Sequence, residues 1–239
     1  MRFLILSLIL FFGYRPASSQ DSDIGVFYGN FYAIYKFQDH GSGFRNLPGS
    51  QYSGYPTVTF NKYFSKNLSG EVGVSFLAYQ QYIGTRLFSP GFSSVFYVGN
   101  ITIMTNYGIV NNNNFNLRLK GGIGLGIMPD VYLGRFTGTF SDGSSVDSVS
   151  RGFIKRDFRS LFPTFCIGMD FTYKATKRIK LSLRIEYQVG VSKISEYEVY
   201  YNDGTGNNDQ FARQWGNGTF YGVQLGARYV LKKQNVDNK

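Results

Sequence analysis

The stretch Lys180 to Ser192, KLSLRIEYQVGVS, alternates without a break. Leu181, Leu183, Ile185, Tyr187, Val189 and Val191 form one row, and Lys180, Ser182, Arg184, Glu186, Gln188, Gly190 and Ser192 form the other. A period of two defines a β-strand whose faces meet different surroundings. Two architectures satisfy it. A soluble sandwich buries the apolar row and wets the charges, whereas a membrane barrel turns the apolar row to lipid and the charges into its lumen.

The same period recurs in eight segments, about 24–35, 55–64, 69–80, 95–108, 115–128, 161–173, 180–195 and 219–231. In FNLRLKGGIGLGI, Phe115, Leu117, Leu119, Ile123, Leu125 and Ile127 oppose Asn116, Arg118, Lys120, Gly122, Gly124 and Gly126. In the last segment Tyr221, Val223, Leu225, Ala227, Tyr229 and Leu231 oppose Gly222, Gln224, Gly226 and Arg228. No stretch carries a helical period.

The connections choose between the two architectures. Three are short and polar, SKNL at 65–68, NNNN at 111–114 and KATKRI at 174–179; the other four, about 36–54, 81–94, 129–160 and 196–218, are long. Short and long alternate strictly, as in transmembrane barrels with tight periplasmic turns and long outer loops. Greek-key crossovers of a sandwich would break that order. About eleven residues at roughly 3.3 Å each, tilted about 45°, span roughly 26 Å, the height of an outer-membrane apolar band. Aromatic residues cluster near the segment ends: Phe64, Tyr107, Phe115, Phe171, Tyr173 and Tyr229 at the short-turn end, Tyr35, Tyr55, Tyr79, Tyr82 and Tyr97 at the other. The reading is an all-β chain, an eight-stranded antiparallel up-and-down transmembrane β-barrel with short periplasmic turns, long outer loops and both termini periplasmic.

The first residues have the form of a secretory signal. Arg2 precedes a run from Phe3 to Phe12 that is apolar except for Ser7, and Ala17-Ser18-Ser19 supplies a small-x-small cleavage pattern. A run of that length is about half a helical bilayer crossing. The expected organisation is a cleaved signal over 1–19 and a single barrel domain over 20–239. With Arg2 and Arg15 removed from the 25 basic residues, 23 remain against 15 acidic ones, a formal +8. For an exported chain this excess favours outer-membrane lipid and lipopolysaccharide as partners over nucleic acid.

Three features of the mature chain now resemble a known group: a signal ending before Gln20, the strand-turn-strand KYFSKNLSGEVGVSF, and the closing strand GTFYGVQLGARYVLKK. They are similar to the small outer-membrane barrels of Bacteroidota, the OmpX-like and PorT-like families. That resemblance implies outer-membrane residence and fixes no particular activity.

Chemistry-bearing residues are few. His40 is the single histidine, in QDHGSG beside Asp39 and Ser42. A Ser–His–Asp arrangement there would make a lipid-modifying enzyme, but such a cluster in a Gly/Ser loop is ordinary turn chemistry. Cys166 faces inward by parity and reads as a small filler. GGIGLGIM imitates a dinucleotide fingerprint, yet it lies mid-strand with no helix after it. No cofactor or metal motif is present, and the chain reads as non-enzymatic.

Parity places Glu71, Arg118, Lys120, Asp170, Arg184, Glu186 and Arg228 inside, each a few residues from the short-turn end. Asp170 and Arg184 lie symmetrically about the KATKRI turn and are expected to face each other, with Arg118 or Lys120 as the alternative partners of Asp170. Such a belt is either a salt-bridge plug or a proton or ion path. Above it Gly122, Gly124, Gly126 and Gly190 thin the lining, leaving either a gap filled by Tyr79, Phe96 and Phe162 or a small cavity. The long loops keep some alternation and read as hairpins whose edges suit another envelope protein. Arg151, Lys155, Arg156 and Arg159, in RGFIKRDFR, suit lipid phosphates or an acidic partner. Three function classes remain: a structural, surface-contact or envelope-assembly barrel, a PorT-like accessory of protein secretion or gliding machinery, and a lipid-modifying enzyme.

Overall fold

The computed structural model describes residues 22–40, 44–46, 53–85, 92–112, 114–128, 154–158, 160–201 and 210–231. Twelve strands run in chain order: β1 (Ser22–His40), β2 (Phe44–Asn46), β3 (Ser53–Gly54), β4 (Thr57–Tyr63), β5 (Leu68–Thr85), β6 (Phe92–Asn111), β7 (Phe115–Ile127), β8 (Ile154–Phe158), β9 (Leu161–Lys174), β10 (Ile179–Gly190), β11 (Ser195–Tyr201) and β12 (Gln210–Leu231). Eight of them, β1, β4, β5, β6, β7, β9, β10 and β12, pair in that order and entirely antiparallel. β1 then pairs with β12 from Ser22↔Leu231 to His40↔Phe211, which closes the barrel.

Side-chain exposure answers which row faces out. Leu225, Ile167 and Phe165 are 67%, 59% and 58% exposed, while Arg184, Arg228 and Glu71 are each 1% exposed. A soluble protein of this pattern would show the reverse. The apolar rows of all eight staves form one continuous outer belt, and the polar rows fill the lumen.

Side chains near the short turns explain their tightness. Ser65 Oγ accepts from the amides of Asn67 and Leu68, and Thr176 Oγ accepts from those of Arg178 and Ile179. Each turn is also tied to the next stave: Gly108 N donates to Asn67 O at 2.7 Å, Lys174 N to Asn114 O at 2.8 Å, and Val230 N to Arg178 O at 2.8 Å. The rim at this end thereby satisfies backbone groups that an apolar surrounding would leave unpaired.

At the other end the staves run beyond the expected bounds. β1, β5, β6 and β12 continue into stretches read as loops, and β11 pairs with β12 from Ser195↔Gly216 to Tyr201↔Gln210. β8 adds to β11, so β1, β12, β11 and β8 form a sheet wing above the barrel. Gly216, within an expected loop, is a buried strand position. The expected segment 180–195 is two strands, broken at 191–194 where the chain passes from barrel to wing. The aromatic sorting also needs correction. Tyr97 is exposed, but Tyr55 and Tyr79 are buried in the lumen and Tyr35 packs against that core, because their parity is that of the inward rows. The side chain of Tyr82 lies outside the described residues.

Arginine in place of Ile185 or Leu225 should destabilise the bilayer-folded barrel by about 2–4 kcal/mol, since each is an outward position near mid-height. Arginine at Asn114, exposed in a short turn, should cost little. Urea titration of tryptophan fluorescence in lipid vesicles reads both, and equal tolerance at all three positions would count against a lipid-facing belt.

Candidate functional site: the lumen

The lumen is layered. Its upper layer is apolar: Phe31, Tyr55, Leu77, Tyr79, Val98, Met128, Phe162, Ile194 and Phe220 are all buried in one cluster. Phe31 meets Tyr55, Tyr79 and Phe220 edge-on, with centroids 5.5, 5.2 and 5.2 Å away. Of the four inward glycines only Gly126 matches this filling; Gly122 and Gly190 lie against neighbouring backbone, and Gly124 against the Thr164 hydroxyl. A Cβ on Gly126 would collide with the Phe162 ring, so glycine there is what admits the ring. The side chain of Phe96 lies outside the described residues.

Below the rings comes a layer of amides and hydroxyls. Asn100 Nδ2 donates to Gln188 Oε1 at 2.9 Å, and Gln224 Nε2 donates to Thr57 Oγ1 at 2.7 Å. Cys166 is buried here, with Sγ 3.6 Å from Gln188 Oε1 and 3.9 Å from Thr164 Oγ1. Neither neighbour is a base that could generate a thiolate, so the site gives Cys166 no nucleophilic activation.

The charged layer follows. Glu71 on β5 is its hub, accepting from Lys120 at 2.8 Å, Arg228 at 2.9 Å and Arg184 at 3.0 Å. Lys120 also reaches Glu186 at 2.9 Å, and Arg184 lies within ion-pair distance of Glu186 at 3.5 Å. Register puts Asp170 opposite Arg184 on β10 and opposite Arg118 on β7. Its nearest cation is neither. Arg228, from the stave beyond β10, makes the short contact with Asp170, while Arg184 stands 3.7 Å away. A lumen this narrow lets a long side chain reach past its cross-strand partner.

Phe27 roofs the network. The Arg184 guanidinium carbon lies 3.9 Å from its ring centroid and that of Arg228 5.1 Å, within cation–π range. Phe27 is opposite Gly226 on β12, where a Cβ would clash with the ring. Each arginine is therefore held by carboxylates on one side and an aromatic face on the other, which restricts its rotamers.

Three participants are missing from the expected belt, although the alternation of KLSLRIEYQVGVS already puts Lys180 in the inward row. Asp23, at the start of β1, accepts from Arg228 at 3.0 Å. Tyr63, at the end of β4, donates to Asp23 at 2.6 Å. Lys180, the second residue of β10, reaches Asp23 at 3.3 Å and the Tyr63 oxygen at 3.1 Å. All three sit at segment ends, although the charge of Asp23 two residues before the inward Gly25 was an available signal. Arg118 turns away from Asp170 and donates to Tyr63 at 2.9 Å.

Two of the four outer candidates lie within the described residues. Lys155 and Arg156 lie on β8, opposite Glu198 and Tyr197 of β11, and Arg151 and Arg159 lie outside the described residues. His40 ends β1 opposite Phe211; its side chain and Ser42 likewise lie outside them. Among the described residues no group of three or more His, Cys, Asp or Glu is placed to hold a metal ion.

No family model and no curated protein sequence matches this chain. Solved structures do resemble it. The outer membrane protein OprG from Pseudomonas aeruginosa superposes with a TM-score of 0.56 at 10% identity, covering 91% of this chain and 99% of that one. A major outer membrane protein from Thermus thermophilus gives 0.49 at 12% identity, over 90% and 100%. The N-terminal β-barrel domain of Pseudomonas aeruginosa OprF gives 0.46 at 9%, over 89% and 100%.

Removing one carboxylate from the charged layer strands buried cations, so Asp170→Ala should cost about 3–5 kcal/mol. Adding Arg184→Met should recover much of that loss, because Glu71 keeps two other cations. Adding Arg228→Met should recover less, because Asp23 then loses its arginine. Unfolding free energies of the three variants in vesicles decide between this network and a wet lumen, in which none of the changes would matter. At these identities the structural likeness is one of fold, and the chain has the closed eight-stranded barrel fold that OprG shares.

Proposed function

We propose that this chain is an integral barrel of a bacterial outer membrane with a non-enzymatic role in surface contact or envelope assembly. The observation that carries the reading is the coexistence of a continuous apolar belt outside with a lumen filled through three layers. A filled eight-stranded barrel has no bore for solute passage, so its working surface is what stands above the belt. In this reading the short turns and both termini face the periplasm. The outer belt binds membrane lipid, and the wing meets lipopolysaccharide or another envelope protein.

Open strand edges at the upper end support a protein partner specifically. Among the described residues, β8 has no strand on its far side, and neither has β6 from Phe92 to Val98 on the side away from β5. Open edges of this kind accept an added strand. A place among the OmpX-like and PorT-like barrels of Bacteroidota, with service to secretion or gliding machinery, is the narrower form of the same proposal. A lipid-modifying enzyme would need His40 as its base.

Reconstituted in planar bilayers, the barrel should give no steady conductance; a stable ohmic step would overturn the filled-lumen reading. Lipid A from cells expressing wild-type chain or His40→Ala should be identical. A modification that disappears with His40 would establish the enzyme instead.

A further inference from the structure

The mouth of the lumen at the short-turn end carries more positive charge than the network above can balance. Facing inward are the carboxylates Asp23, Glu71, Asp170 and Glu186 and the cations Arg118, Lys120, Lys180, Arg184 and Arg228, so cations lead by one. The surplus is localised. Arg118 is 8% exposed, and among the described residues no carboxylate lies within ion-pair distance of it. Its register partner Asp170 is engaged by Arg228 and Arg184. Buried charges normally have counter-charges.

Two further observations converge on the same spot. Arg118 and Lys180 both donate to the Tyr63 oxygen, at 2.9 and 3.1 Å, and both lie over its ring, at 4.6 and 4.9 Å. Two cations thus share one neutral acceptor, and of the two only Lys180 also reaches a carboxylate. Lys180 is also directly opposite Lys174 across the β9–β10 hairpin. Like charges facing one another across strands repel unless something sits between them. Lys174 is exposed, and the Lys180 side chain keeps 15% of its surface, so the cluster opens to solvent. The nearest carboxylate, Asp23, is shared: Arg228 and Tyr63 bond it at 3.0 and 2.6 Å, and Lys180 reaches it at 3.3 Å, so one carboxylate serves two cations and Arg118 has none.

From this geometry we infer that the short-turn mouth of the lumen is an anion site for a phosphate group, held by Arg118 and Lys180 with Lys174 at its rim. A guanidinium supplies directional paired donors and the two ammonium groups supply point charges, a combination suited to a doubly charged tetrahedral oxyanion. The phosphate can be free or belong to a lipid headgroup, because the turns lie at the edge of the apolar belt. The site does not depend on which compartment this end faces.

The test is calorimetric titration of the folded barrel in maltoside micelles, which carry no phosphate, with inorganic phosphate in one arm and micelle-soluble phosphatidic acid in the other. Saturable one-to-one binding is expected, weakened roughly tenfold or more by Arg118→Gln. Lys174→Gln lies outside the buried network and should weaken it by a smaller factor without affecting folding. Saturation by inorganic phosphate assigns a free ligand, and saturation by phosphatidic acid alone assigns a headgroup. Absence of saturable binding in both arms, or binding unchanged by both substitutions, overturns the site.

Discussion

Antiparallel pairing of β1 with β12, from Ser22 opposite Leu231 to His40 opposite Phe211, is the constraint on which the rest of the structure depends. An open sheet with this outer belt would expose both apolar side chains and two rows of unpaired backbone groups, and lipid can satisfy only the first. Closure removes the edges within the belt and fixes the radius, and the radius decides what the lumen can hold. The seam itself is reinforced from inside, where Arg228 of β12 bonds Asp23 of β1.

The lumen then resolves a packing problem in three ways along one axis. Aromatic rings fill the top, paired amides and hydroxyls the middle, and an ion network the bottom. Only the last requires its members to be present together, because each buried charge depends on its partners. Glu71 bonds cations from β7, β10 and β12 at once, and Arg228 bonds carboxylates from β1, β5 and β9. A slip of one residue between any of these staves would turn one of them toward the apolar outside. The network therefore specifies register more than it adds net stability.

Extension of β1 and β12 past the belt, with β11 and β8 laid beside them, separates two tasks. The belt and lumen secure the barrel, and the wing presents strand edges and mixed charge above it. Glu196, for example, pairs with Lys193 and with Arg213 at 3.1 Å, an arrangement suited to water rather than to lipid.

Much of this was legible in the residues. Period-two alternation in KLSLRIEYQVGVS and FNLRLKGGIGLGI marked strands and sorted their faces, because alternation is a property of each chain segment alone. Short turns identified neighbours, and the symmetry about KATKRI put Arg184 opposite Asp170, as the register has it. Where alternation weakens, at the upper ends of β1, β5, β6 and β12, strand was hidden among expected loops, and Tyr55 was set at an interface instead of in the core, whereas Tyr79 fills the lumen as expected. The sequence by itself determined which side chains enter the lumen. Tertiary structure alone decided whom they meet there: Arg228 reaching past Arg184 to Asp170, Phe27 roofing two guanidiniums, and Arg118 turning to Tyr63. Those choices depend on the radius and stagger of the closed barrel, which no single strand encodes.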